Sequence, residues 1–411
     1  MNGRYDAIML VANGIIHDPR VTKEATSLAS AGYSVLVIGI QPERAVNGET
    51  TDRKEWQMAL TQSPPWLSAW LARSRGKKIE LLVKGVHVLF ANFRMIQIAA
   101  RNGARVLHAH DLNTLPAAWV LKQFRRCAHV VYDSHELWVE QNPAWPDWFK
   151  KIQGQLERLL LRSVSSVITV NEGIRKELRR RYPHLPECHV LENYVPLERE
   201  VRPTGTPGPE KTTGNPLRVL YHGGYLPGRG LEVVLEAAER LRGMEIDFYF
   251  RGYGPLEQSM KAFIERNALP RVHMLPAIKM KELVREARHF DVGIVPYLPN
   301  CRNSELALPN KLFEYMAAGL AVVSSDLPEI RRIHSQAAFG LLYRAGSPDS
   351  LAEALKSLCE DRGQLISMRA NAVEWIYHQG NWGKVSHRLI EIYDRLGCSP
   401  TREKAKEAKH E

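Results

Sequence analysis

Short runs of β-branched and aliphatic residues alternate with helical patterns along almost the whole chain. That alternation limits the fold more than any other feature. Residues 7–198 offer AIMLVAN, YSVLVIGI, GVHVLF, RVLHAHD, HVVYDS, SVITVN and HVLENY as strands, with helical segments such as PRVTKEATSLASAG between most of them. Continuous apolar strands separated by helices predict βαβ units and a parallel sheet covered on both faces. The alternation stops at VRPTGTPGPEKTTGNP, residues 201–216, a Pro/Gly/Thr-rich stretch that reads as a linker. It restarts with LRVLYHGG, IDFYFRG, VHMLPA, VGIVPY, LAVVSSD and FGLLYRA. The reading is an α/β chain of two doubly wound, Rossmann-like domains, residues 1–200 and 217–381, facing a central cleft. A helical pattern at 382–398 is expected to return to the first domain, and residues 399–411 read as a solvated tail.

At 411 residues the chain is too long for one core, which agrees with two domains. A formal net charge of +11 favours anionic partners: nucleotides, nucleic acid or an acidic membrane surface. The five cysteines, 127, 188, 301, 359 and 398, include no C-x-x-C pair, which argues against a zinc site or disulfide framework and for a reducing compartment. The N-terminal apolar run is short for a signal peptide, and no stretch approaches the ~18 apolar residues of a membrane span. The expected location is the cytoplasm.

Ligands of doubly wound sheets bind beyond the carboxyl ends of the strands, so the residues just after each strand carry the functional reading. In YHGGYLPGRGLEVVLEAAERL, residues 221–241, a strand runs into a glycine-rich turn and then a helix. Gly223, Gly224, Gly228 and Gly230 allow close backbone approach, the helix N-terminus attracts phosphate, and Arg229 adds a fixed charge there. The turn is neither a Walker A loop nor a dinucleotide fingerprint. ALPNKLFEYMAAG, residues 307–319, reads as a helix with Pro309 in its first turn and Gly319 as C-cap. Asn310 and Glu314 share one face at i, i+4 spacing, where the carboxylate can accept hydrogen bonds from a ribose or sugar diol and Lys311 can face a phosphate.

In the first domain HAHD (108–111) and DSHE (133–136) each end a buried strand, presenting His110, Asp111, His135 and Glu136. A metal reading is possible from His108, His110, Asp111 and His135, but no H-E-x-x-H or D-x-D element supports it. Asp18 caps an expected helix carrying Arg20, which can contact an acceptor or donor anion or lie on the helix surface. In PPWLSAWLARSRGKKIELLVKG, residues 64–85, Trp66, Leu67, Trp70 and Leu71 fall at helical spacing before a basic run, which suits an anionic membrane interface or a packed helix with a solvated loop. No recognition motif for nucleic acid accompanies it.

Together these pieces resemble the retaining glycosyltransferases of the group-1 (family 4) class, of GT-B architecture. The resemblance covers essentially the whole chain, through DPRVTKEATSLASAGYSV, HAHDLNTLPAAW, VVYDSHEL, VITVNEGI, YHGGYLPGRGLE, RGYGPLEQ, DVGIVPYLPN, ALPNKLFEYMAAGLAVVSSDLPEI and NWGKVSHRLIEIY. It implies that Glu314 is the second glutamate of the family's E-x7-E element and holds the nucleotide ribose. It implies that Arg229 contacts the diphosphate, that His135 lies by the transferred sugar, and that the backbone of Pro276, Ala277 and Ile278 meets the base. Two positions depart from the family pattern. The first glutamate falls on Leu306, with Glu305 one residue off, and the usual Gly-Arg is Gly223-Gly224, for which Lys311 is the candidate replacement.

The implied reaction is transfer of a sugar from a nucleotide diphosphate-sugar, UDP- or GDP-linked, to an acceptor hydroxyl with retention. No metal or other cofactor is expected, because Arg229, Lys311 and helix N-termini can stabilise the leaving diphosphate. Arg20, His110, Asp111 and Glu136 are the candidates for the acceptor or sugar side. The acceptor is expected to be a glycan or a lipid-linked glycan at the inner membrane face. The alternatives are a binding subunit that kept the fold without activity and a sugar-nucleotide epimerase.

Overall fold

The computed structural model describes residues 5–15, 18–40, 55–61, 70, 77–197 and 215–400, with the side chains of 77–82 and 84 excepted. Trp66, Leu67, Leu71, Arg73 and Arg75 of the tryptophan-bearing segment lie outside the described residues, as do most of the linker (198–214) and the tail from 401. Trp70 is 40% exposed.

Contacts divide the chain into two units: residues 1–139, 144–192 and 385–411, and residues 140–143 with 193–384. The first is built on seven parallel strands: β1 (Tyr5–Leu10), β2 (Val35–Ile40), β3 (Gln57–Thr61), β4 (Ala104–His110), β5 (His129–Ser134), β6 (Ser166–Thr169) and β7 (Cys188–Val190). They run in the order β3-β2-β1-β4-β5-β6-β7. Helices α1 (Pro19–Ser30), α2 (Lys77–Asn102), α3 (Leu115–Gln123), α4 (Asp147–Leu161) and α5 (Glu172–Arg181) connect them. Every residue of β1 is buried, as both faces of a covered parallel sheet require. The strand order reverses between β1 and β4, so the loops after those strands diverge and leave a crevice at their carboxyl ends.

The second unit carries six parallel strands: β8 (Leu217–His222), β9 (Ile246–Arg251), β10 (Val272–Leu275), β11 (Val292–Val295), β12 (Ala321–Ser325) and β13 (Gly340–Tyr343). Their order, β10-β9-β8-β11-β12-β13, puts its reversal between β8 and β11. Its helices are α6 (Leu231–Arg240), α7 (Glu257–Arg266), α8 (Leu283–Ala287), α9 (Arg302–Glu305), α10 (Asn310–Ala318), α11 (Pro328–Ala337), α12 (Pro348–Glu360) and α13 (Arg362–His378). The last helix, α14 (Trp382–Arg395), begins in this unit and continues into residues of the first. Val219, Leu231, Val234, Phe248, Ile294 and Leu355 are core residues between the sheet and its helices.

Two element assignments differ from the sequence reading. GVHVLF, residues 85–90, is helical and lies within α2. Val83, Ala91, Met95 and Ala99 are buried while Gly85, Leu89 and Phe93 are exposed, a helical stripe that overrides the β propensity of the local run. The third strand is instead QMALT, which has almost no β-branched content and gave no signal. Pro309 stands at the N-cap of α10 and not inside its first turn. Gly319 closes that helix at φ 80°, as its expected C-cap role demands.

Candidate functional site

In the second unit, α10 is buried at every position from Lys311 to Ala318 except Glu314. Leu312, Phe313, Tyr315 and Met316 are fully enclosed, and burying each such side chain contributes about 1.5–3 kcal/mol. The helix is thus held as a rigid post, and past its first residue the one side chain it leaves partly open is Glu314. His222, at the end of β8, meets the Glu314 carboxylate with Nε2 2.7 Å from Oε2. The His222 backbone N–H donates to the Tyr315 hydroxyl at 2.8 Å, which fixes the strand end against the helix.

The glycine-rich turn follows at once. Gly223 adopts φ +128°, and a Cβ there would lie 3.0 Å from Lys311 Nζ. Gly230, the N-cap of α6 at φ +69°, lies so near Pro296 that a Cβ would stand 1.8 Å from its carbonyl oxygen. The loops after β8 and β11 are therefore packed backbone to backbone at the point of sheet reversal. Lys311 Nζ sits 3.8 Å from the Tyr221 ring centroid and 5.7 Å from that of Tyr297, and the Arg229 guanidinium sits 4.3 Å from the Tyr297 ring. Among the described residues no carboxylate lies within ion-pair distance of Lys311 or Arg229. Burial, then the Arg229 charge, bring the Lys311 ammonium down to about 7. The Glu314 carboxylate acts on Lys311 in the opposite sense, so the site holds two cations against one acid and keeps a surplus of positive charge that an anion would complete.

Binding there has a defined pH signature. Lys311 loses its proton above about 7 in the free protein, whereas a bound diphosphate favours the charged form. Anion binding above that pH would take up a proton, so affinity would fall as pH rises. For an anion whose own charge does not change in this range, the Kd is expected to rise by up to ~10-fold per pH unit above pH 7.5. Lys311→Arg, with a permanent charge, is expected to flatten that slope. Calorimetric titrations at several pH values read both, and a flat wild-type profile would remove Lys311 from the anion site.

Asn310 faces elsewhere, its Oδ1 accepting from Asn193 Nδ2 at 2.9 Å. Glu305 is paired with Arg302 at 2.8 Å, and Leu306 is buried. Gly224 is exposed. Pro276 lines a cavity of about 250 Å³ with Tyr225, Gly252, Glu257, Lys261, Met274 and Leu275, while Ala277 and Ile278 follow it outside that lining.

In the first unit, His135 follows β5 and is gripped from two sides. Its backbone N–H donates to Asp111 Oδ1 at 3.0 Å, its Nδ1 lies 3.6 Å from Asp111 Oδ2, and its Nε2 lies 3.2 Å from Asp133 Oδ2. Burial works against the imidazolium, but the Asp111 and Asp133 carboxylates outweigh it and push His135 up to about 10. Burial in turn raises Asp111 to about 6 against the pull of His135. His110 is buried behind His135, with Nδ1 3.0 Å from its Nε2. The Glu136 side chain is exposed.

Arg20 is corrected by the structure: it is neither on the helix surface nor open to a ligand. It is 1% exposed, with Nε 2.7 Å and Nη2 2.9 Å from the two oxygens of Asp133, Nη1 donating to the Leu191 carbonyl at 2.8 Å, and Glu24 3.1 Å away. Asp18 does cap α1, accepting from the backbone N–H groups of Arg20 and Val21. That cap sets the first turn, and the turn drives Arg20 into the interior. Glu24, His108, His110 and Asp133, all buried, bring ligand atoms within 4.8 Å of one another. The Arg20 guanidinium already compensates both carboxylates of that set and opposes an added cation.

The reading from sequence missed His222 and Asp133. Both stood in quoted stretches, YHGG and DSHE, but their roles come from partners 92 and 113 residues away.

Residues 18–193 match the family described as glycosyl transferase 4-like domain, and residues 216–361 match glycosyl transferases group 1. The chain is 24% identical to alpha-maltose-1-phosphate synthase of Mycolicibacterium smegmatis over 76% of its own length and 84% of that protein. It is 28% identical to an amylovoran biosynthesis glycosyltransferase of Erwinia amylovora over 44% of this chain and 45% of the relative, so that match spans less than half of either protein. Among solved structures, sucrose-phosphate synthase of Thermosynechococcus elongatus superposes with a TM-score of 0.74 at 16% identity, covering 96% of this chain and 100% of the other. Anabaena HepE in complex with UDP-glucose superposes at 0.70 and 12% identity, covering 95% and 99%. At such identity these two likenesses concern the fold, which is GT-B.

Proposed function

The chain belongs to the group 1 glycosyltransferases, and on that premise we propose that it moves a sugar from a nucleotide diphosphate-sugar to an acceptor hydroxyl with retention of configuration. The observation that carries this reading is the pair of cations, Arg229 and Lys311, gathered with Glu314 at the glycine turn after β8, where they outnumber that one carboxylate. Breaking a glycosidic bond leaves negative charge on the departing diphosphate and positive charge on the sugar ring. Arg229 and Lys311 would hold the diphosphate, and the N-terminus of α6 adds its dipole. Glu314 would take the ribose hydroxyls beside them. His135, protonated between its two carboxylates, would donate to the sugar or acceptor side, with the leaving phosphate oxygen receiving the acceptor proton.

HepE was solved with UDP-glucose and trehalose-6-phosphate synthase of Escherichia coli with UDP-2-fluoroglucose, which supports a sugar nucleotide and favours UDP over GDP. The acceptor we propose is a polysaccharide or lipid-linked glycan, in keeping with relatives named for amylovoran and colanic acid biosynthesis. A second reading, a binding subunit without turnover, is favoured by one observation: Leu306 stands where the family carries its first glutamate, and Glu305 is engaged by Arg302.

A thermal-shift panel of UDP, GDP, ADP and TDP tests the donor site directly. At a ligand concentration of ~100 times the Kd, binding adds about 2.7 kcal/mol, a readable shift. One diphosphate is expected to stabilise the wild type and to lose most of that effect in Arg229→Met and Lys311→Met. No shift with any of the four, or equal shifts in the variants, would overturn the site. Donor-dependent glycosylation of an extracted glycolipid pool separates the transferase from the silent subunit.

A further inference from the structure

Helix α4 carries an apolar stripe on its outer side. Trp148, Ile152, Leu156 and Leu159 are 58%, 58%, 39% and 48% exposed. Their spacing of i, i+4, i+8 and i+11 stacks them along one line of the helix. The opposite side is anchored in the core through Leu160, Leu161 and Glu157, whose carboxylate accepts from the Tyr132 and Tyr182 hydroxyls at 2.8 and 2.6 Å. The stripe is therefore a second apolar face on a firmly seated helix and not a frayed margin of the core.

Its borders are charged. At about 100° per residue, Lys151, Arg158 and Arg162 fall along one edge of the stripe, and all three are exposed. Asp147 is the one exposed acid between residues 147 and 162. At the N-terminal end the aromatic rings are linked: Trp148 meets Phe149 at 5.7 Å, Phe149 meets Trp145 at 5.4 Å, and Trp145 meets Trp138 at 6.4 Å between centroids. The crossovers β3 to β4, β4 to β5 and β5 to β6 all step the same way along the sheet, which places α2, α3 and α4 on one of its faces. On that face α2 exposes Leu89 (70%) and Phe93 (55%), one turn apart.

We propose that this face of the first unit docks on an anionic lipid surface, with α4 lying in the interfacial plane. The stripe would enter the boundary between headgroups and acyl chains, tryptophan would sit at headgroup level, and the cationic edge would meet the lipid phosphates. Charge complementarity selects this occupant: an apolar line edged by cations fits an anionic bilayer, and the whole chain carries +11. Among the described residues no helix is long and apolar enough to cross a membrane. The inference depends on no step of the proposed reaction.

Flotation of the full chain with phosphatidylglycerol-containing or pure phosphatidylcholine vesicles tests it. At about 0.15 M salt the wild type is expected to float with the anionic vesicles and not with the neutral ones. Trp148→Ser/Ile152→Ser is expected to lower partitioning at least ~10-fold, and Lys151→Glu/Arg158→Glu/Arg162→Glu to abolish the preference for anionic lipid. All substituted positions are exposed, and an unchanged melting temperature verifies folding. Absence of flotation by the wild type, or undiminished flotation of both variants, would overturn the proposal. So would a concentration-dependent dimer that Trp148→Ser/Ile152→Ser abolishes without any vesicle binding, which would give the stripe to a second copy.

Discussion

Glu314→Ala is expected to lower turnover with the nucleotide-sugar by up to ~100-fold, because a charge-assisted contact of up to ~3 kcal/mol is lost. Glu314 is the one residue between Lys311 and Ala318 that is not fully buried, and His222 meets its carboxylate at 2.7 Å. The role assigned to it, holding the ribose, adds a sharper expectation. Affinity for the nucleoside diphosphate should fall with the substitution, whereas affinity for inorganic pyrophosphate, which has no ribose, should not. Glu314→Gln keeps an acceptor for the hydroxyls and removes the charge, so it should fall between wild type and alanine. Steady-state kinetics with calorimetric binding reads all three. Near-normal turnover by Glu314→Ala would end the assignment.

The second large effect concerns stability. Arg20→Ala leaves Asp133 buried opposite an empty space and strips the Leu191 carbonyl of its donor. Removing one partner of a buried ion pair typically costs 3–5 kcal/mol, so a loss of roughly that size is expected on urea unfolding. At about 2–4 °C per kcal/mol the melting transition should drop by ~10 °C. Arg20→Lys should recover only part of the loss, because an ammonium cannot make the paired contact to both carboxylate oxygens. The loss should also reach His135, since Asp133 touches both groups. A melting temperature within ~2 °C of wild type would show that the pair contributes little.

The helical placement of Glu314 and the burial of Arg20 mark where local sequence reasoning reaches and where it does not. Glu314 was legible because helix spacing is a local property: the turn between Asn310 and Glu314 and the C-cap at Gly319 are written within ten residues. Arg20 reads from sequence as a ligand contact or a surface residue, because its local context is only a helix start capped by Asp18. Its burial follows from Asp133 and Leu191, over 110 residues away. GVHVLF failed for the reverse reason: its local propensity was strong, and the buried stripe of a 26-residue helix overruled it.

The sequence alone determined the two alternating α/β blocks, the glycine turn with Arg229, and the helix bearing Lys311 and Glu314, because periodicity, capping and backbone permissiveness act over a few residues. Only the tertiary structure decided that Lys311 is buried beside Arg229, that His222 holds Glu314, and that Arg20 belongs to the interior. Those outcomes depend on which strands become neighbours. Sheet order is set by the burial of whole faces, to which no single segment holds the key.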